Sequence, residues 1–433
     1  MDNTYRSYSS HEKWLFFAIL SFCWDIPIFN LTGMNRLNPT FYDIVFFVGL
    51  WLFRGQLFSV NISNSTYKLW KYIVYWFCIC SFFYFFLTPS GIWLYSGLCA
   101  ARYVQGLFFV RMFLLVKSDR MFRIVTKATW FGLLIICAYC IYELRHPEIH
   151  VVELAGDKTI GMIEENTING PFESKFEMAQ ALPLLAIICI AANSAISLFS
   201  VSLVGRYNSF LVILLSWPVF YSKSRTAILL FFCSLLLYIS LRREGNLWLR
   251  MAVIVALLFG SVFWDRIYNV AMRTSSFERI VLLEEGERHD SIEARINVGL
   301  LFSSDGYDNR ALLPLVGAGF NFAPIAGRDR ICYGVHNSIL FPFEQAGIVG
   351  FVLALVFFIK TLVRLWKQRQ LTPWGYPILS FYLALMSAGI VAGQCFWREF
   401  NTGNVNTLII ALLCLATSGP DRELSFVRNK PLQ

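Results

Sequence analysis

The sequence predicts an all-α polytopic membrane protein with about twelve transmembrane helices and one large loop between spans. Three observations predict it. The chain is 57% hydrophobic and 17% aromatic but only 15% charged, and its mean hydropathy is +0.55. A soluble domain carries roughly 25% charged residues. Apolar runs approaching the roughly 20 residues that cross a bilayer recur from end to end. The lysines and arginines fall in short clusters between those runs, where they determine topology instead of forming a nucleic-acid surface.

Taken in order, the predicted spans are Trp14–Leu31, Phe41–Phe53, Leu69–Leu87, Ile92–Val116, Val125–Tyr142, Met178–Leu198, Ser209–Tyr221, Thr226–Leu241, Leu249–Trp264, Gly347–Leu365, Trp374–Cys395 and Gly403–Thr417. The shorter runs are expected to extend into their flanks. Only Ser222-Lys223-Ser224-Arg225 separates the seventh from the eighth. With the amino terminus inside, the inner segments hold 20 lysines and arginines and the short outer loops four: Arg36, Lys223, Arg225 and Arg398. The positive-inside rule therefore places both termini in the cytoplasm. Met1 to Lys13 is polar and leads into further membrane, so no cleavable signal peptide is expected.

Residues 1–264 form a first bundle of nine spans, interrupted by an acid-rich outer loop over 144–177. Residues 265–335 form the large outer loop, and 336–433 hold the last three spans and an inner tail. The large loop is long enough to fold. Asp290-Ser291-Ile292-Glu293 reads as a capping box, and Ile292, Ile296 and Leu300 follow at helical spacing with Arg295 off that stripe. No internal repeat is visible. Most of the eleven cysteines lie inside apolar runs. Cys137 and Cys140 have redox spacing but sit mid-span, where packing is the expected role. No histidine–cysteine set has zinc-ligand spacing, so no metal is expected.

A membrane enzyme acting on a lipid-borne phosphate ester needs cations for the leaving group and a base for the acceptor. Arginine grips phosphate with two parallel hydrogen bonds and stays charged at any working pH. Arg225 sits in an outer turn with almost no loop around it, at headgroup level; an interfacial arginine there can also simply snorkel. Arg295 on the loop helix can face the same place or water, and Arg328 and Arg330 are weaker candidates of the same kind. His336 stands where the polar loop returns to the membrane, and histidine moves protons near neutral pH. Gly317 and Gly319 allow an irregular backbone ahead of it. Gly347 and Gly350 are expected to let the following helix approach a neighbour closely. Arg102 lies deep in the fourth span, Arg111 lies nearer its inner end where it can snorkel, and Asp25 sits toward the outer end of the first. Such residues in a span can mark a transporter pathway; here they could brace the bundle or line a lipid-tail groove, and no role is assigned to them.

His336-Asn337, nine residues, then Gly347-x-x-Gly350 resembles the histidine motif of bacterial O-antigen ligases, within the wider O-antigen ligase and polymerase superfamily. Gly317-Ala318-Gly319 and Ser224-Arg225 resemble that superfamily's other landmarks, in the same order along the chain. The motif resemblance covers about Tyr221 to Gly350, and the layout of spans resembles the family over the whole length. It implies a GT-C-like, metal-independent glycosyltransferase of the bacterial inner membrane with its site facing the periplasm. The implied donor is an undecaprenyl-diphosphate-linked glycan; the acceptor is lipid A-core for a ligase, or a second lipid-linked glycan for a polymerase. By the same resemblance, Arg225 and Arg295 bind the donor diphosphate and His336 is the base, with Arg288 or Arg310 able to substitute for Arg295. A polyprenyl diphosphate is already activated, so no nucleotide cofactor is expected, and no Gly-rich Lys phosphate motif occurs.

Overall fold

The computed structural model describes residues 7–26, 28, 39–87, 93–146, 168, 170–172, 175–192, 202–222, 225–241, 317, 341–391 and 404–418. These residues are all-helical, with no strand among them. The helices are α1 (Ser10–Ser21), α2 (Phe41–Phe53), α3 (Ser65–Leu87), α4 (Trp93–Leu115), α5 (Met121–Arg145), α6 (Lys175–Ala191), α7 (Ser202–Leu215), α8 (Pro218–Tyr221), α9 (Arg225–Leu241), α10 (Phe341–Gln368), α11 (Gly375–Val391) and α12 (Asn404–Ala416). The predicted ninth span and the capped loop helix lie outside the described residues.

Two helices, Met121–Arg145 and the Ala346–Gln368 part of α10, are long and apolar enough to cross a membrane. At 1.5 Å per residue they extend about 35 Å, more than the roughly 30 Å of bilayer hydrocarbon. Large apolar side chains also lie on the outer surface of the described bundle. Phe47 is 65% exposed, Trp51 66% and Phe58 79%. Such side chains do not belong in water, and a helix that is apolar all round suits a membrane.

Local chemistry explains the helix starts. Ser9 caps α1: its hydroxyl accepts the Glu12 N–H at 3.2 Å while its own N–H donates to Glu12 Oε2 at 2.8 Å, a reciprocal capping box. Thr40 and Asp43 repeat the device at α2, with the Thr40 N–H donating to Asp43 Oδ2 at 2.8 Å. The first helix is shorter than its apolar run predicts. The Phe22 and Cys23 N–H groups close onto the Ile19 and Leu20 carbonyls, α1 ends at Ser21, and the Asp25 N–H donates to the Pro171 carbonyl at 2.8 Å. A backbone partner outside the helix thus replaces the next helical turn.

An aromatic core locks α1, α2 and α4. Tyr42 stacks on Phe109 at 4.6 Å, Trp14 meets Phe53 edge-on at 5.1 Å, and the Trp14 indole donates to the Val45 carbonyl at 2.9 Å. Gly49 permits this approach, because a Cβ there would lie 2.6 Å from Trp14 Nε1. Elsewhere α3 packs on α4 and α10, α5 on α1 and α6, and α11 on α9.

Contacts between helix ends gather one set of termini at a single end of the bundle. Ser118 after α4 donates to Glu12 at 2.6 Å. Asn64 before α3 donates to the Cys414 carbonyl at 2.7 Å, and Phe122 of α5 packs on Trp374 before α11 at 4.7 Å. This end is basic, carrying Lys13, Arg54, Lys71, Arg120, Arg123, Lys127, Lys367 and Arg369. The opposite end holds buried Asp25, Glu143 and Glu177, and there Glu143 Oε2 accepts the Gly170 N–H at 2.9 Å.

Candidate functional site

The described part of the histidine motif is the head of α10. The helix is broken between Ala346 (φ −138°, ψ 15°) and Gly347 (φ 63°, ψ −164°). That second conformation is essentially reserved for glycine. Breaking the helix withdraws the Ala346 carbonyl from the regular ladder, and the Trp76 indole of α3 donates to it at 2.8 Å. A buried carbonyl would otherwise be costly to leave unpaired.

The bend gives both glycines a reason within their own chain. Gly347 is required by its backbone conformation. Gly350 is crowded chiefly by its own chain: a Cβ there would fall 2.3 Å from the Ala346 Cβ and 3.1 Å from the Pro342 carbonyl, with Phe77 of α3 at an ordinary 3.5 Å. The leading turn of α10 folds back over the helix, and only a hydrogen at residue 350 leaves room. Gly317 is buried and also has a positive φ, 71°, which agrees with the irregular backbone expected there.

His336, Asn337, Arg295, Ser224 and Gly319 lie outside the described residues, as do Arg288, Arg310, Arg328 and Arg330. The Arg225 backbone opens α9. That helix packs on α11, and α11 packs on α10, so the two motif-bearing helices share one neighbour. Among the described residues no group of three or more histidine, cysteine or carboxylate side chains could hold a metal ion.

The structure also builds a charged cluster the sequence left without a role. Arg102 of α4 pairs with Asp43 of α2. The same guanidinium nitrogen donates to Gln105 Oε1 at 2.9 Å, and Gln105 Nε2 donates to Asp43 Oδ1 at 2.7 Å. Thr407 of α12 lies beside the Tyr42 hydroxyl, and its Oγ1 would sit 2.8 Å from a Cβ at Gly106. The cluster therefore joins α2, α4 and α12 and braces the bundle, one of the roles open to Arg102. Sequence reasoning missed Asp43. Its signal was the Thr40-Phe41-Tyr42-Asp43 helix start, which puts a carboxylate in the first turn of an otherwise apolar span.

Arg111 is held by the turn after α2: its Nη2 donates to the Val60 carbonyl at 2.7 Å and its Nε to the Leu57 carbonyl. Cys137 and Cys140 are packed inside the bundle, and Cys137 Sγ donates to the Leu215 carbonyl at 2.7 Å. At the basic end, partial burial raises the Glu12 carboxyl. Hydrogen bonds from the Ser118 hydroxyl and from the Ser9 backbone and side chain, with the Arg120 charge, outweigh that and leave it below the usual value.

The sequence matches no protein-family model and no curated protein. What fold and composition define is an all-helical architecture among the described residues, two of whose helices are long and apolar enough to cross a membrane.

Proposed function

We propose that this chain is a multi-pass glycosyltransferase of the bacterial inner membrane, of the O-antigen ligase type. It moves a glycan from undecaprenyl diphosphate to an acceptor hydroxyl, that of lipid A-core, on the periplasmic face. The observation that carries this reading is the motif His336-Asn337-x9-Gly347-x2-Gly350, two of whose members have stringent backbone demands at the head of a membrane-length helix. The clustering of cations at one end of the bundle and buried carboxylates at the other supports the orientation, basic end inward.

The chemistry follows from the donor. The acceptor oxygen attacks the anomeric carbon, the bond from that carbon to the diphosphate breaks, and the electron pair leaves with the diphosphate. His336 takes the proton of the incoming hydroxyl. Arg225 and Arg295 neutralise charge developing on the departing diphosphate, where a fixed guanidinium in a dry site acts most strongly.

The test is transfer by purified protein from a lipid-linked glycan to lipid A-core or to a second lipid-linked glycan. His336→Ala and Arg225→Ala, present in the membrane at wild-type level, are expected to lose at least about 100-fold in rate. Normal transfer by His336→Ala refutes the catalytic assignment. Transfer to the second lipid-linked glycan alone makes the enzyme a polymerase instead.

A further inference from the structure

The α1–α5 seam at the basic end carries a feature that the transferase reading does not use. On α5, Arg123, Lys127, Phe131, Leu134, Ala138 and Ile141 follow at steps of four and three, so they stand above one another on a single face. Phe131, Leu134 and Ile141 are 46%, 42% and 47% exposed. The stripe is cationic at the basic end and apolar for about 15 Å beyond Phe131, half the hydrocarbon thickness of a bilayer. From α1, Phe16 packs against Phe131 at 5.8 Å and Phe17 is 50% exposed beside it, which widens the apolar wall. At the head of the stripe, Lys127 Nζ lies 3.3 Å from the Tyr8 hydroxyl and 5.9 Å over its ring. Among the described residues no carboxylate pairs with Arg123 or Lys127. The nearby Glu12 is held by Ser9 and Ser118.

We propose that this seam seats one anionic phospholipid. Its phosphodiester is held by Arg123, Lys127 and the Tyr8 hydroxyl, and one acyl chain lies along Phe131, Leu134, Ala138 and Ile141. The stripe asks for an amphiphile with negative charge at one tip and a single leaflet's length of hydrocarbon below it. Juxtamembrane cations attract such headgroups, and tyrosine belongs at the same depth because its ring is apolar and its hydroxyl wet. A second copy of this chain fits less well, since the face offers two cations and no acid to meet itself. The inference rests on the membrane reading of the chain and is independent of any transferase activity.

The experiment measures retention of phosphatidylglycerol and of phosphatidylcholine by the purified full-length protein, using native mass spectrometry. The variants are the double substitution Arg123→Gln/Lys127→Gln and a control pair of equal charge change, Arg54→Gln/Arg369→Gln. All must melt as the wild type does in phosphatidylcholine nanodiscs. Preferential phosphatidylglycerol binding is expected, weakened about 30-fold by the seam pair and changed less than about twofold by the control pair. Equal loss in both pairs overturns the site in favour of diffuse charge. Absence of any headgroup preference overturns it outright. If inorganic phosphate at millimolar concentration displaces the lipid completely, the site takes a free anion and the acyl stripe has no part. Quantitative disulfide cross-linking between copies through Leu134→Cys in phosphatidylglycerol nanodiscs assigns the face to a second copy instead.

Discussion

Replacing Gly347 by alanine tests the bend at the head of α10 directly. At φ 63° and ψ −164°, a Cβ collides with the backbone, and holding a non-glycine residue in that region costs about 1–3 kcal/mol. The chain can escape only by straightening. The Ala346 carbonyl would then re-enter the helical ladder and the Trp76 indole would lose its acceptor, a bond of about 1 kcal/mol. A suitable comparison is Gly97→Ala on α4, where a Cβ meets nothing within 4 Å. That substitution removes backbone freedom from the unfolded chain and is expected to stabilise by up to about 1 kcal/mol. Thermal unfolding in one detergent should therefore place Gly347→Ala below the wild type and Gly97→Ala at or above it, about 2–4 kcal/mol apart. Trp76→Phe keeps the ring and removes the donor. Combined with Gly347→Ala it should cost less than the two single losses added together, because both report one bend. A Gly347→Ala protein that melts with or above the wild type, with additive behaviour at Trp76, would mean that α10 runs straight through the motif.

Asp43→Ala leaves the Arg102 guanidinium without its carboxylate in the bundle and is expected to cost about 3 kcal/mol. The double variant Asp43→Leu/Arg102→Met should recover most of that, as read by thermal unfolding; equal damage in both would show that the charges do not act as a pair. Ser9→Ala should cost about 1 kcal/mol by removing the α1 cap. The lowered Glu12 carboxyl gives a further signature at the same place. A depressed folded-state value adds stability above the unfolded value, lost as pH falls through the folded one, here into the acid range below the ordinary carboxylate value. Glu12→Gln should therefore lower stability above about pH 6, where the ionised carboxylate contributes, and flatten the acid limb of the curve; an unchanged acid limb would remove Glu12 from the account.

Periodicity and apolar length carried much of the fold. Phe41–Phe53 is both the predicted second span and the observed α2, and Thr226–Leu241 differs from α9 by one residue. Long apolar stretches bounded by charges leave little choice of helix, since an unpaired backbone group in hydrocarbon costs too much. Hydropathy could not foresee where tertiary contacts end a helix. The first run is apolar to Leu31, yet α1 stops at Ser21: the Phe22 and Cys23 N–H groups close back onto its last turn, and the Asp25 N–H goes to a distant carbonyl, that of Pro171. The same holds for side-chain partners. Arg102 was legible as an oddity in lipid, but Asp43 is 59 residues away, and only the threonine three positions before it hinted at a capped start. In the candidate site, the motif marked Gly347 and Gly350 by spacing alone, and the kink supplied their physical reasons. His336 and Arg295 lie outside the described residues, so their roles rest on the resemblance.

The Trp76–Ala346 bond joins residues 270 positions apart, and that distance bears on biosynthesis. At ordinary translation rates, the tryptophan is made roughly 10–60 s before the carbonyl it will hold. The paired α3 and α4 are therefore complete long before α10, whose head α3 helps to hold, is made.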